Sequence, residues 1–99
     1  MTIEKKQDGA KLLMTLAGRL DTTTAPQLEG ELKAIYASTT ELVLDFAGLE
    51  YLSSAGLRVL LSAQKVMSKV GSMTLCHVNE TIMEIFEVTG FSEILTIEQ

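Results

Sequence analysis

The chain has one cysteine, one histidine and no tryptophan in 99 residues. One cysteine excludes an internal disulfide, and one histidine excludes a metal site built on several imidazoles. Basic side chains are also scarce: 8 Lys and Arg against 13 Asp and Glu leave a net charge of −5. That deficit argues against a direct nucleic-acid or anionic-membrane partner, because both are held mainly by cationic side chains. No apolar run approaches the ~18–20 residues of a membrane span, and no signal-peptide pattern occurs, so a cytoplasmic protein without membrane insertion is expected. No glycine-rich phosphate loop is present, so no nucleotide cofactor is expected. No linker, charge block or internal repeat divides residues 1–99, which read as one domain.

What the chain does have is apolar surface. Hydrophobic residues make up 46% of it, and a chain of this length can bury roughly 60–65% of its unfolded surface without disulfide or metal staples. Thr2–Lys6 reads as an edge-like strand ending at the turn dipeptide Asp8-Gly9, and Lys11–Ala17 as its more buried neighbour. Thr22–Ser38 carries helix signals. Thr24 and Gln27 have capping-box spacing, Pro26 suits a first turn, and Leu28, Leu32, Ile35 and Tyr36 recur at helical intervals. Glu41–Phe46 is a short strand followed by a loop of about eight residues. A second helix spans about Ala55 to Lys69, with Leu57, Leu60, Leu61 and Gln64 on one stripe and Gly71 as its stop. Ser72–Val78 is a strand, Asn79 caps a helix from Glu80 to Val88, and Glu93–Ile97 is a last strand. The order β-β-α-β-α-β-α-β predicts a compact α/β domain. Its five-stranded sheet is mixed but mostly parallel, with the first strand antiparallel at an edge and three or four helices.

The segment Asp45–Leu61 carries the most information. Two serines stand between a strand and an apolar helix, and Ser54 at the N-cap would accept from first-turn N–H groups, worth about 1 kcal/mol. Asp45, at a strand end, lacks the acidic pair and late lysine of a phosphoaspartate receiver. A serine hydrolase needs a Gly-x-Ser-x-Gly elbow, whereas Ser53 and Ala55 flank Ser54. No catalytic residue is therefore expected. Cys76 reads as a buried small hydrophobe. His77 falls on the opposite side of that strand with no nearby Cys or His companions, so no metal site is expected.

Three ordered motifs resemble those of the sulphate-transporter and anti-sigma-antagonist (STAS) family. They are Gly18-Arg19-Leu20-Asp21 with Thr24-Ala25, then Tyr51-Leu52-Ser53-Ser54-Ala55-Gly56-Leu57, then Phe86 through Phe91 with Thr89-Gly90. The resemblance spans nearly the whole chain. It implies a STAS-like domain acting as an anti-sigma factor antagonist. The unphosphorylated form would bind an anti-sigma factor that is also a serine kinase, freeing a sigma factor. Phosphorylation of Ser54 would switch it off, and a metal-dependent serine phosphatase would restore it.

By the same resemblance Asp21 lies close to the phosphorylation site, where it would orient the serine or meet the kinase; equally, it could cap the backbone of Thr23 and Thr24. Gly56 would let a partner backbone approach closely, or simply pack near the sheet. Arg58, in the first turn of the helix, could pair with phosphate or with an acidic partner. Ser53 departs from the family's usual Asp. The departure removes a charge beside Ser54 and leaves two adjacent hydroxyls, between which spacing alone does not choose; alignment favours Ser54. It also leaves a second role open, that of an unphosphorylated STAS subunit docking on a transporter ATPase or a signalling scaffold.

Overall fold

The computed structural model describes residues 1–98. Its elements are β1 (Thr2–Asp8), β2 (Lys11–Leu20), α1 (Ala25–Ile35), a 3-10 turn (Tyr36–Ser38), β3 (Glu41–Leu52), α2 (Ser54–Val70), β4 (Ser72–Cys76), α3 (Glu80–Thr89), the single turn α4 (Phe91–Ile94) and β5 (Thr96–Glu98). The strands form one sheet in the order β1-β2-β3-β4-β5. β1 pairs antiparallel with β2, and the other pairs are parallel. The mixed, mostly parallel five-stranded sheet expected from the element order is therefore the observed one.

Sequential parallel strands joined by right-handed crossovers put every crossover helix on the same face of the sheet. Burial shows that asymmetry directly. Leu12, Met14, Leu16, Leu42, Leu44, Phe46, Met73 and Leu75 point under the helices and are fully buried. Leu13, Thr15, Val43, Asp45, Thr74 and Cys76 alternate to the open face and are only half-buried. The helices close the core with Leu28, Leu32 and Ile35 from α1, with Leu57, Leu60, Ala63 and Met67 from α2, and with Ile82 and Phe86 from α3. Phe86 meets Phe46 with ring centroids 6.4 Å apart. Ala63 and Met67 hold the inward positions of α2, and Leu61 and Gln64, expected on that stripe, are turned half outward.

Three expectations shift. β3 does not stop at Phe46: it continues to Leu52 through two register shifts against β2. Thr15 pairs with Asp45 but Ala17 with Gly48, and Gly18 pairs with Leu49 but Arg19 with Tyr51. Each shift places an extra residue in β3, as a bulge does. The loop expected before α2 is therefore sheet. The Thr24–Gln27 capping box does not form, because Thr24 makes no side-chain cap. Its hydroxyl donates to Arg19 O at 2.8 Å, while Gln27 reaches Met1 O at 3.3 Å. Residues 91–94 form the turn α4, so the last strand starts at Thr96 instead of Glu93. Gly71 does end α2. A Cβ there would fall 1.7 Å from Thr40 O, so no other residue fits beneath that carbonyl.

Candidate functional site

β2 and β3 outrun β4, and their ends lie side by side: Arg19 is in register with Tyr51, and Leu20 with Leu52. Ser53 N–H donates to Leu20 O at 2.9 Å, which ties the start of α2 to the end of β2. The chain then turns away in two loops. One carries Asp21 into α1, and the other carries Ser53 and Ser54 into α2. Residues 32 positions apart in sequence thus share one end of the sheet, where β2 and β3 finish.

The two serines have different jobs. Ser53 has an extended backbone (φ −96°, ψ 173°) and its hydroxyl accepts from Gly56 N–H at 3.3 Å. It is the N-cap, so the capping role expected of Ser54 belongs to the residue before it. Ser54 is the first residue of α2, it is exposed, and no group among the described residues bonds its hydroxyl. The first turn of α2 holds no acidic residue. The partial positive charge of this helix start is therefore not offset by an acid within its own first turn.

Asp21 organises the neighbouring loop. Its Oδ1 accepts from Thr23 N–H at 3.0 Å, Thr23 Oγ1 at 2.7 Å and Thr24 N–H at 3.1 Å. The Thr23 hydroxyl above all, with these backbone donors, lowers its carboxyl to about 2. Of the two roles open to Asp21, the structure displays the capping one. Its Oδ2 lies 3.6 Å from Arg19 Nε, and the Arg19 guanidinium stacks 4.1 Å over the half-exposed ring of Tyr51. Neither Arg19 nor Tyr51 is marked out by sequence spacing. They meet only because β3 extends far enough to bring Tyr51 opposite Arg19.

Gly56 is buried. A Cβ there would sit 2.7 Å from both Leu20 Cγ and Leu52 Cδ1, so its smallness lets α2 begin against the strand ends. Arg58 is exposed one turn beyond Ser54, at the i,i+4 position on the same helix face. It borders an open groove of about 400 Å³ between α1 and α2, together with Thr22, Ala25, Pro26, Ala55 and Val59. No ion pair among the described residues occupies Arg58. The structure thus places Asp21, Ser53, Ser54 and Arg58 just beyond the ends of β2 and β3, with Gly56 packed beneath.

A second polar cluster was not expected. His77 follows β4 with φ 56°, a left-handed conformation uncommon outside glycine. The twist returns its ring to the open face of the sheet, where Nδ1 lies 3.0 Å from Asp45 Oδ1. Simple alternation had put it on the other side. Burial alone would push the Asp45 carboxyl up, but Ala47 N–H and the His77 ring hold it below its ordinary value.

Residues 3–96 match the family described as Mlab, STAS domain. The chain belongs to the STAS domain family. It is 39% identical to BtrV of Bordetella bronchiseptica, assigned as an anti-sigma factor antagonist, over 93% of this chain and 80% of that protein. It is 26% identical to an anti-sigma-B factor antagonist of Bacillus subtilis, over 98% of this chain and 90% of that protein. Its fold is that of SpoIIAA, an anti-sigma factor antagonist. The unphosphorylated form superposes with a TM-score of 0.80 at 17% identity, covering 99% of this chain and 88% of that one. The phosphorylated form, described as a Bacillus cell fate determinant, gives 0.78, covering 99% and 92%.

Proposed function

We propose that this chain is an anti-sigma factor antagonist switched by phosphorylation of Ser54. Unmodified, it binds an anti-sigma factor with serine kinase activity and so releases a sigma factor. The phosphorylated form is released, and a metal-dependent serine phosphatase resets it. The observation that carries this reading is the exposed Ser54 hydroxyl, unbonded among the described residues, at a helix N-terminus that has no acid in its first turn. The relatives' names, and a structural neighbour solved with and without phosphate, support it.

The geometry explains why the modification would leave the fold intact. A phosphoserine adds about −1.5 to −2 charge, and a helix N-terminus favours such charge by ~0.3–1 kcal/mol. Arg58, four residues on, stands within the same face to pair with it. A partner surface closed over the neutral hydroxyl has no such compensation, and desolvating a poorly paired anion costs several kcal/mol. Each ~1.4 kcal/mol is tenfold in affinity. The protein acts as the substrate in this cycle and contributes no catalytic group, and a cycle run by a kinase and ATP places it in the cytoplasm.

Ser53 in place of the family's usual Asp fits the same reading. Serine and aspartate are both strong N-caps, so the substitution keeps the start of α2 and changes only the charge. With its hydroxyl engaged by Gly56 N–H, Ser53 is also the less available acceptor. Incubation with the cognate anti-sigma kinase and ATP, followed by peptide mass spectrometry, should place one phosphate on Ser54 and none on the Ser54→Ala protein. Phosphate on Ser53 alone, or none on either serine, would overturn the assignment. Co-purification with a transporter ATPase in place of the kinase would favour the docking-subunit role.

A further inference from the structure

We propose that the open face of the sheet carries a divalent transition-metal site of the zinc class, formed by Asp45 on β3, Cys76 at the end of β4 and His77 just beyond it. The ligand atoms of these three residues all lie within 4.8 Å of one another. Tetrahedral zinc with bonds of about 2.0–2.3 Å separates its donors by roughly 3.3–3.8 Å. Rotamer adjustments of about an ångström therefore suffice to close the set, and Asp45 Oδ1 and His77 Nδ1 already stand at 3.0 Å.

The strand register explains why the donors converge. Asp45 pairs with Cys76, and Cys76 pairs with Glu98, so all three project from one row of the sheet onto the same face. His77 would continue β4 onto the helix-covered face, but its left-handed φ brings the imidazole back beside Asp45. Glu98 is exposed at the end of that row and is the protein group placed to supply a fourth oxygen; otherwise water completes the shell. One thiolate, one imidazole and carboxylate oxygen form a borderline set. It suits zinc and cobalt, and it does not suit calcium or magnesium, which take oxygen ligands alone. Cys76 is half-buried and His77 exposed, so an ion can enter from solvent.

None of these residues belongs to the group around Ser54. A metal here would clamp β3 to β4, and through Glu98 to the three-residue β5. The site is independent of the phosphorylation reading and stands or falls separately.

Cobalt(II) titration of the reduced 99-residue chain tests it. The expected result is one equivalent bound, with a near-ultraviolet thiolate-to-cobalt band that zinc displaces. Cys76→Ser should abolish that band, and His77→Ala should weaken zinc binding by at least ~10-fold. Both changes are on the open face, and circular dichroism establishes that the variants are folded. The absence of a thiolate band in the wild type, or zinc affinity unchanged in both folded variants, would overturn the proposal. As a second readout, saturating zinc should raise the melting temperature of the wild type and leave that of Cys76→Ser unmoved.

Discussion

The N-termini of α2 and α3 are built from the same parts and finished differently. Both begin after an extended residue whose side chain accepts an N–H from the first turn: Ser53 from Gly56, and Asn79 from Ile82. α3 then adds what a solvent-facing helix start usually carries. Glu80 sits in its first turn, and Asn79 Nδ2 also donates to Leu49 O at 3.0 Å, tying the cap to β3. α2 adds neither. Its first residue is an exposed serine, its first turn has no acid, and Arg58, without an ion pair among the described residues, follows one turn later. One helix start is electrostatically complete; the other is left ready for an anion supplied from outside.

The largest expected effect on stability concerns what lies under α2. Gly56→Ala places a methyl group 2.7 Å from Leu20 and Leu52. Such overpacking costs about 1–3 kcal/mol, more than the gain of up to ~1 kcal/mol from replacing glycine in a helix. Chemical denaturation should show a net loss, and a neutral result would mean that the helix start can shift outward. Next come the caps. Asn79→Ala should cost about 1–2 kcal/mol, because it removes both the cap and the bond to Leu49. Ser53→Ala should cost about 1 kcal/mol, and Ser53→Asp should restore it. If Ser54→Ala proved the more costly of the two serine changes, the cap assignment would be wrong.

Charge separates the two termini more finely. Glu80→Gln should destabilise by about 0.3–1 kcal/mol, whereas Ser54→Asp should stabilise by a similar amount or leave stability unchanged. Equal responses at both ends would erase the contrast. The gentlest effect is pH-linked. Asp21 is lowered from 3.8 to about 2 in the folded chain, so its contribution is fully present above the unfolded value and is lost as pH falls toward about 2. Melting curves of the wild type and Asp21→Asn should converge across that window. A difference that persists below it would assign the stabilisation to something other than the carboxylate.

These contrasts also mark where sequence reading succeeds and where it stops. Alternation in Leu12, Met14 and Leu16, and in Met73 and Leu75, announces β2 and β4, because a sheet covered on one face needs period two. Asn79 before an apolar helical pattern, and Gly90 after it, were equally legible as the limits of α3. Gly90 takes the left-handed φ of 82° that a glycine cap allows. β3 was cut short because its buried spacing changes from two (Leu42, Leu44, Phe46) to three (Phe46, Leu49, Leu52) as it bulges against β2. No local pattern announces a bulge that depends on a neighbouring strand. The cap was misplaced by one residue for a similar reason. Ser53 and Ser54 are equivalent as cap residues, and the choice is made by the Ser53–Leu20 bond between distant segments. His77 was placed on the opposite side of its strand because its turn back to Asp45 depends on one positive φ. The motif residues Asp21, Ser53 and Ser54 follow the ends of β2 and β3, while the contact between Arg19 and Tyr51 required the strand register.

The central claim is that a phosphate on Ser54 is tolerated by the fold and rejected by the partner. Its most direct test uses one sample of chain stoichiometrically phosphorylated on Ser54. Its melting temperature and its affinity for the cognate anti-sigma kinase are measured beside those of the unmodified chain. The predicted result is a melting temperature equal to or slightly above the unmodified value, together with an affinity lower by at least about tenfold. An unchanged affinity, or a phosphorylated chain that unfolds, would contradict the account.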